Sequence, residues 1–362
     1  MNEFTNIKSD DLSLFTINMF KAIGCSEIDA KLATDVLIQA DLRGIDSHGV
    51  ARLSGYVRLY EGGRINTKPN IKVLRDKKSV FTLDGDAGLG LVVAPRAMDI
   101  AIEKTHLYGS GFASVSNSNH FGIAAYHAMK ALQHTYIGMA MTNASPLVAP
   151  TNSKERMLGT NPICYAIPAG ESLPFIIDMA SSAAANGKLE IAERKNKAIP
   201  EGWLETKEGL SSNDPRDLKA GGYLLPLGSD KDHGSHKGYG MGALVDILSG
   251  VLSGANFGPW VPPFVAFLPV LPDLPGKGLG HFLGAMDVDG FIDKHEFGKR
   301  MDIWIKRFKS ATPIDPAHPL IIPGEPEFLL HKERSQSSIP LVDKVVSDLK
   351  DIAEKYHLDH PF

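Results

Sequence analysis

The sequence predicts an α/β protein with a mostly parallel or mixed sheet. Three observations carry that reading. The 362 residues are 43% hydrophobic and 22% charged, the balance of a folded chain long enough to bury a large core. From about residue 70 onward, short apolar runs of strand length alternate with stretches of helical period. Turns rich in Gly, Asn and Pro fall between them.

The elements follow in order. Ser9-Asp-Asp opens a helix whose Leu12, Leu14, Phe15, Ile17, Met19 and Phe20 form an apolar stripe at mixed three- and four-residue spacing. Ser26 caps a second helix over 26–42, with Ile28, Leu32, Ala33, Val36 and Leu37 on one face, and Glu27 and Asp29 suit its positive end. A loop, Gly44-Ile-Asp-Ser-His-Gly49, leads to a helix over 50–61. Segments 71–74 and 79–83 read as strands and 92–104 as a helix; 111–116 is a strand and 124–132 a helix. Strands follow at 137–143, 163–168 and 174–179, then a helix over 183–198. Residues 200–237 are loop-rich, 238–252 helical, and Pro259 to Pro275 is a proline-rich insertion that we assign to a dimer or substrate surface. Helices over 297–309 and 340–356 close the chain. The expected organisation is a helical segment over 1–70, an α/β body over 71–310, and a segment over 311–362 packing back on the helical lobe.

Composition narrows the function. A net charge of −4 argues against nucleic acid as the main partner. The two cysteines, Cys25 and Cys164, form no zinc motif and read as reduced buried thiols. No signal peptide is visible at Met1–Ser9, and prolines 262, 263, 269 and 272 break the longest apolar stretch. The expected compartment is the cytosol, without membrane contact. Asp287-Val-Asp-Gly…Glu296 resembles half a calcium loop, but Ala285 falls at the first ligand position, so it reads as a polar turn before a helix. No metal is expected.

Four motifs carry chemistry. In Asp46-Ser-His-Gly-Val-Ala-Arg52, His48 suits proton transfer to a carbonyl and Arg52 suits a carboxylate. Gly49 allows a left-handed turn, and a straight run into a helix would put His48 and Arg52 on one face. Ser47 would orient the imidazole or bind the same anion. The alternative, Asp46 or Ser47 capping a helix with His48 on the surface, stays open at this level. Ser116-Asn-Ser-Asn-His-Phe-Gly122 joins a strand to a helix, where anionic ligands bind in α/β proteins, and His120 could act on the substrate or merely cap that helix. Gly159-Thr-Asn-Pro162 and Asp178-Met-Ala-Ser-Ser182 offer hydroxyls and amides at strand ends. Gly234-Ser-His-Lys-Gly-Tyr-Gly240 has glycines and a lysine suited to a phosphate. No G-x-G-x-x-G with a later acid is present, so any dinucleotide site here is not of Rossmann type.

In order and spacing, these stretches resemble the malate/L-lactate dehydrogenase family that is unrelated in fold to the Rossmann-type enzymes of the same names. That family includes sulfolactate and ureidoglycolate dehydrogenases, a diketogulonate reductase and a cyclic-imine reductase. The resemblance implies a three-layer α/β fold with a mixed sheet, a homodimer, and NAD or NADP, with NAD favoured. It implies interconversion of a 2-hydroxy acid and a 2-keto acid, malate first, with lactate, another 2-hydroxy acid or a cyclic imine as alternatives. His48 matches the proton donor with Ser47 beside it, and Arg52 and Thr160 match substrate positions. His120, Phe121, Gly122, Ile123 and Ala124 match a cofactor stretch. So do Asp178, Met179 and Ala180, the pair His236 and Lys237, and the turn Gly324, Glu325 and Pro326. In one branch the counterpart of His120 is given the acid–base role, so it competes with His48. Some members carry an acid where this chain has Lys188, which would leave a Ser47–His48–carboxylate relay incomplete and let Lys188 or water stabilise the keto form. A 2′-phosphate contact would fall to Arg194, Lys195 or another basic residue.

Overall fold

The computed structural model describes residues 4–194 and 196–362. Lys195 and the Arg194 side chain, raised above for a 2′-phosphate, lie outside the described residues. The strands are β1 (Phe4–Ile7), β2 (Lys72–Lys77), β3 (Val80–Asp84), β4 (Ser110–Ser118), β5 (Tyr136–Thr142), β6 (Ile163–Ile167), β7 (Phe175–Met179), β8 (Leu204–Glu205), β9 (Ser211–Ser212), β10 (Tyr223–Leu224), β11 (Leu279–Asp287) and β12 (Ile339–Val342). The helices are α1 (Ser9–Ala22), α2 (Glu27–Leu42), α3 (Leu53–Glu61), α4 (Gly90–Tyr108), α5 (Ala124–Met129), α6 (Asn186–Arg194), α7 (Ser235–Asp246), α8 (Lys294–Lys309), α9 (Glu325–Gln336) and α10 (Asp343–Lys355).

Seven strands form one mixed sheet in the order β2-β3-β4-β11-β5-β6-β7. The pair β3–β4 is parallel, and the other neighbours run antiparallel. Alternation along the strands sets the layers. Ala113, Val115, Ala140, Cys164 and Leu283 pack against α4 and α5 through Ala97, Met98, Ala101 and Ala128. Met139 and Met141 face the other way, onto Val245 of α7. Helices on both faces make the three layers. A second core joins α1, α2 and α3 to β12 and α10, with Phe20, Leu37 and Tyr56 against Ile339, Val345 and Leu349.

Several elements depart from the sequence reading. β11, at the centre of the sheet, falls in a glycine-rich stretch to which the sequence reading assigns no strand. Its glycines are demanded by close approach: a Cβ on Gly280 would lie 1.8 Å from the Ser249 carbonyl oxygen, and one on Gly284 2.3 Å from Phe112. The loop-rich stretch holds the small sheet β10-β8-β9. α9 starts at the turn Gly324-Glu-Pro, and residues 339–342 pair with β1 before α10 begins. The calcium-like stretch is helix-capping chemistry: Asp287 accepts the Asp289 N–H, and Asp293 those of His295 and Glu296. Among the described residues no helix is long and apolar enough to cross a membrane.

Candidate active site

The segment between α2 and α3 is tied back by Asp41. This buried carboxylate accepts the Val50 N–H at 2.8 Å, and burial raises its pKa well above the usual range. Gly49 is not left-handed (φ −85°, ψ −146°). Glycine is needed there because a Cβ would sit 1.9 Å from Asp41 Oδ1. Nor does the loop run straight into a helix: tight turns at Asp46–His48 and Val50–Arg52 precede α3. Arg52 turns back instead, its Nε donating to the Ser47 carbonyl at 2.6 Å. Asp46 pairs with Arg334 of α9.

Ser47 Oγ lies 2.9 Å from His48 Nδ1, leaving Nε2 for a ligand. Burial, then the Arg52 charge, pushes His48 down to about 3, so its ring is neutral near pH 7. His120, in the β4–α5 connection, stacks on His48 with ring centres 5.7 Å apart and planes at 22°. Its Nδ1 lies 2.6 Å from the Tyr56 hydroxyl. Burial holds His120 well below 6.5, with His48 and Arg52 adding to the effect. Both rings thus face a hydroxyl at Nδ1. A hydroxyl donates or accepts, so each Nε2 can switch between proton donor and acceptor. The two histidines that competed in the sequence are neighbours.

The connection carrying His120 is clamped. The Asn119 amide donates to the carbonyls of Ala87 at 2.9 Å and Gly88 at 3.0 Å. The Phe121 ring lies between buried His127 (4.6 Å) and His281 (4.8 Å). Gly122 has φ +80°, which only glycine adopts easily. Phe121, Ile123 and Ala124 are buried, so within the chain they shape the turn.

A cavity of about 740 Å³ opens beside Arg52, lined also by Gly55, Arg58, Glu190 and Phe264. The proline-rich insertion supplies Phe264, so it lines the cavity on which Arg52 opens. Glu190 Oε2 lies 3.5 Å from Arg52. Lys188 is exposed, its ammonium 5.6 Å from the Trp203 ring centre. The start of α6 still supports the site, because Gly187 packs on Ser47 so closely that a Cβ would come within 2.8 Å of Ser47 Cβ.

A second pocket, about 270 Å³, is lined by Arg43, Ala125, Asp178, Gly324, Pro326 and Glu327. Asp178 accepts the Ala125 N–H at 2.8 Å, and the surrounding protein, with Glu327 nearby, raises its pKa above the usual carboxylate value. Arg43 Nε and Glu327 Oε2 are buried and without a hydrogen-bond partner among the described residues. Unpaired buried donors and acceptors are costly, so this pocket fits a hydroxyl-rich group such as the ribose of a dinucleotide. Met179 and Ala180 continue the strand end, and Glu325 pairs with Lys309. The Thr160 carbonyl accepts from the N–H of Ser181 at 2.8 Å and its hydroxyl at 3.1 Å. His236 and Lys237 are exposed in the first turn of α7 and line neither pocket.

Sequence reasoning missed Tyr56, Glu190, Phe264, Arg43 and Glu327. Tyr56 stands four residues after Arg52 and could have been taken as its helical neighbour. Phe264 comes from more than two hundred residues away and carries no local signal.

Comparison with known proteins agrees along nearly the whole chain. Residues 7–350 match the pattern of the malate/L-lactate dehydrogenase family. The chain is 41% identical to a malate dehydrogenase of Pyrococcus abyssi over 97% of this chain and 95% of that one. It is 38% identical to a malate/(S)-sulfolactate dehydrogenase of Methanothermus fervidus over 95% and 96%. Its fold superposes on the crystal structure of malate dehydrogenase from Entamoeba histolytica with a TM-score of 0.92 at 32% identity, covering 99% of this chain and 100% of that one.

Proposed function

Because the chain belongs to the malate/L-lactate dehydrogenase family, and is therefore a 2-hydroxy acid dehydrogenase, we propose that it interconverts malate and oxaloacetate. The observation that carries the reading is the stack of His48 on His120 beside Arg52. Lactate or another 2-hydroxy acid is the second choice, since this cluster reads only a carboxylate and a carbonyl.

The nicotinamide cofactor supplies or accepts the hydride at the substrate C2. Arg52 holds the C1 carboxylate with the N–H groups that its bond to Ser47 and its ion pair with Glu190 leave free. That contact offsets the positive charge which helps depress His48, so substrate binding raises the pKa of the ring that must deliver a proton. His48 Nε2 protonates the oxygen on C2, while Ser47 Oγ accepts or donates at Nδ1. His120 Nε2, backed by the Tyr56 hydroxyl, serves the same oxygen as partner. Thr160 assists orientation, as its motif implies. The Phe264 ring forms an apolar wall beside the pair, which strengthens the charge interactions on that side.

For the cofactor, Asp178 and Glu327 would accept hydroxyl hydrogens of a ribose, with Gly324 and Pro326 forming the turn beside it. Two carboxylates at a ribose disfavour a 2′-phosphate, which supports NAD over NADP. His236 and Lys237 are retained for a phosphate contact on motif grounds. A homodimer is supported by exposed Leu244, Ile247, Val251 and Leu252 on successive turns, and the cytosol is the proposed site of action. NADH and NADPH tested against oxaloacetate, pyruvate and larger keto acids should give the highest kcat/KM for NADH with oxaloacetate. Failure to oxidise either cofactor with any of them would reject the reading.

A further inference from the structure

We propose that Phe264 is the specificity-determining wall of the substrate site, limiting the group carried on C2 to a short chain. The inference rests on the assignment of Arg52 and the His48–His120 pair to the substrate. The Phe264 ring centre lies 4.6 Å from that of His120, 5.2 Å from that of Tyr56, and 6.0 Å from the Arg52 guanidinium carbon. A 2-keto acid reaching from Arg52 to the histidines must therefore lie against this ring. Its third substituent runs along this ring into the cavity, which Leu189, Phe267 and Arg58 also line.

The ring is held in place by the backbone that carries it. Ser145 Oγ accepts the Phe264 N–H at 2.8 Å, Arg58 donates to the Phe264 carbonyl, and Arg64 donates to that of Pro263 at 2.8 Å. On the other side, α3 leaves room only because residue 55 is glycine: a Cβ there would come within 2.5 Å of the ring. With its backbone held by three hydrogen bonds, its ring packed on Tyr56 and His120, and only 9% exposed, Phe264 cannot swing aside cheaply for a larger substrate. The proline-rich insertion thus acts as a strap that delivers one rigid aromatic wall.

A hydrophobic pocket discriminates by roughly 10- to 200-fold per methylene-sized change. The test compares the wild type with Phe264→Ala and the milder Phe264→Leu. Turnover of pyruvate, 2-oxopentanoate and phenylpyruvate is measured alongside binding of oxamate and N-butyl oxamate to the NADH-loaded enzyme. Expected is a rise of at least about tenfold in the kcat/KM ratio of phenylpyruvate to pyruvate for Phe264→Ala, a smaller rise for Phe264→Leu, and new binding of N-butyl oxamate. Equal losses on all substrates, with N-butyl oxamate still excluded, would overturn the wall and leave the site assignment intact. Absence of oxamate binding to the wild type would overturn the site assignment and the wall with it.

Discussion

Tyr56→Phe removes one oxygen and keeps the ring that packs against Phe20 and Phe264. What is lost is the 2.6 Å contact to His120 Nδ1, made by a fully buried tyrosine. Leaving a buried polar atom unpaired costs about 1–3 kcal/mol, which at 1.4 kcal/mol per decade is roughly 5- to 150-fold. The loss should appear in kcat, because the hydroxyl touches His120 and the assigned ribose pocket is elsewhere. Kd for NADH, followed by nucleotide fluorescence, should stay within about twofold of wild type if only the transition state loses stabilisation. The pH profile should move as well. The hydroxyl accepts from Nδ1–H and so favours protonated His120; without it, activity in the reducing direction should fade at a lower pH. A kcat within twofold of wild type with an unmoved profile would refute the reasoning, and a large rise in NADH Kd would show that Tyr56 acts on the fold instead.

Other outcomes follow from the same contacts. Gly187→Ala should lower kcat and the melting temperature together, since its Cβ would meet Ser47 Cβ at 2.8 Å and overpacking costs about 1–3 kcal/mol; the NADH affinity should hold in a direct titration. Asp178→Asn should raise the NADH Kd by roughly 10- to 150-fold, the value of a charge-assisted hydrogen bond, readable by calorimetry. Acid should destabilise the protein through His281 and His127, which burial depresses to about 3 and about 4. Their folded pKa values lie below the unfolded value, so their stabilisation is complete above about pH 6.5 and is lost as pH falls. From pH 7.5 to 5.0 each should remove about 2 kcal/mol, seen as a lower urea midpoint; a midpoint unchanged at pH 5.0 would contradict this.

The sequence revealed most where local pattern and tertiary environment agree. The α2 cap at Ser26 accepts the Asp29 N–H, and the strands expected at 137–143 and 163–168 form as β5 and β6. It concealed β11 because Gly280 and Gly284 answer to neighbours distant in the chain, and a glycine inserted for packing looks locally like a turn. At the site, Ser47, His48 and Arg52 were legible as chemistry, but their geometry was not: Arg52 meets the histidine by folding back on the Ser47 carbonyl, a contact no helical period suggests. His120 joins them only through the β4–α5 turn, and Phe264 only through a strap whose anchors, Arg58, Arg64 and Ser145, lie far from it in sequence. Glu327 escaped notice because its meaning depends on facing Asp178 across a pocket.

The central claim is that His48, seated by Ser47 and Arg52, moves the proton while hydride passes to a 2-keto acid. The most direct test is single-turnover oxidation of bound NADH by oxaloacetate in His48→Ala. A general acid of this kind contributes about 10²- to 10⁴-fold, so the rate should fall by that order while NADH binds with unchanged affinity. Wild-type turnover in His48→Ala, with the loss confined to His120→Ala, would contradict the account.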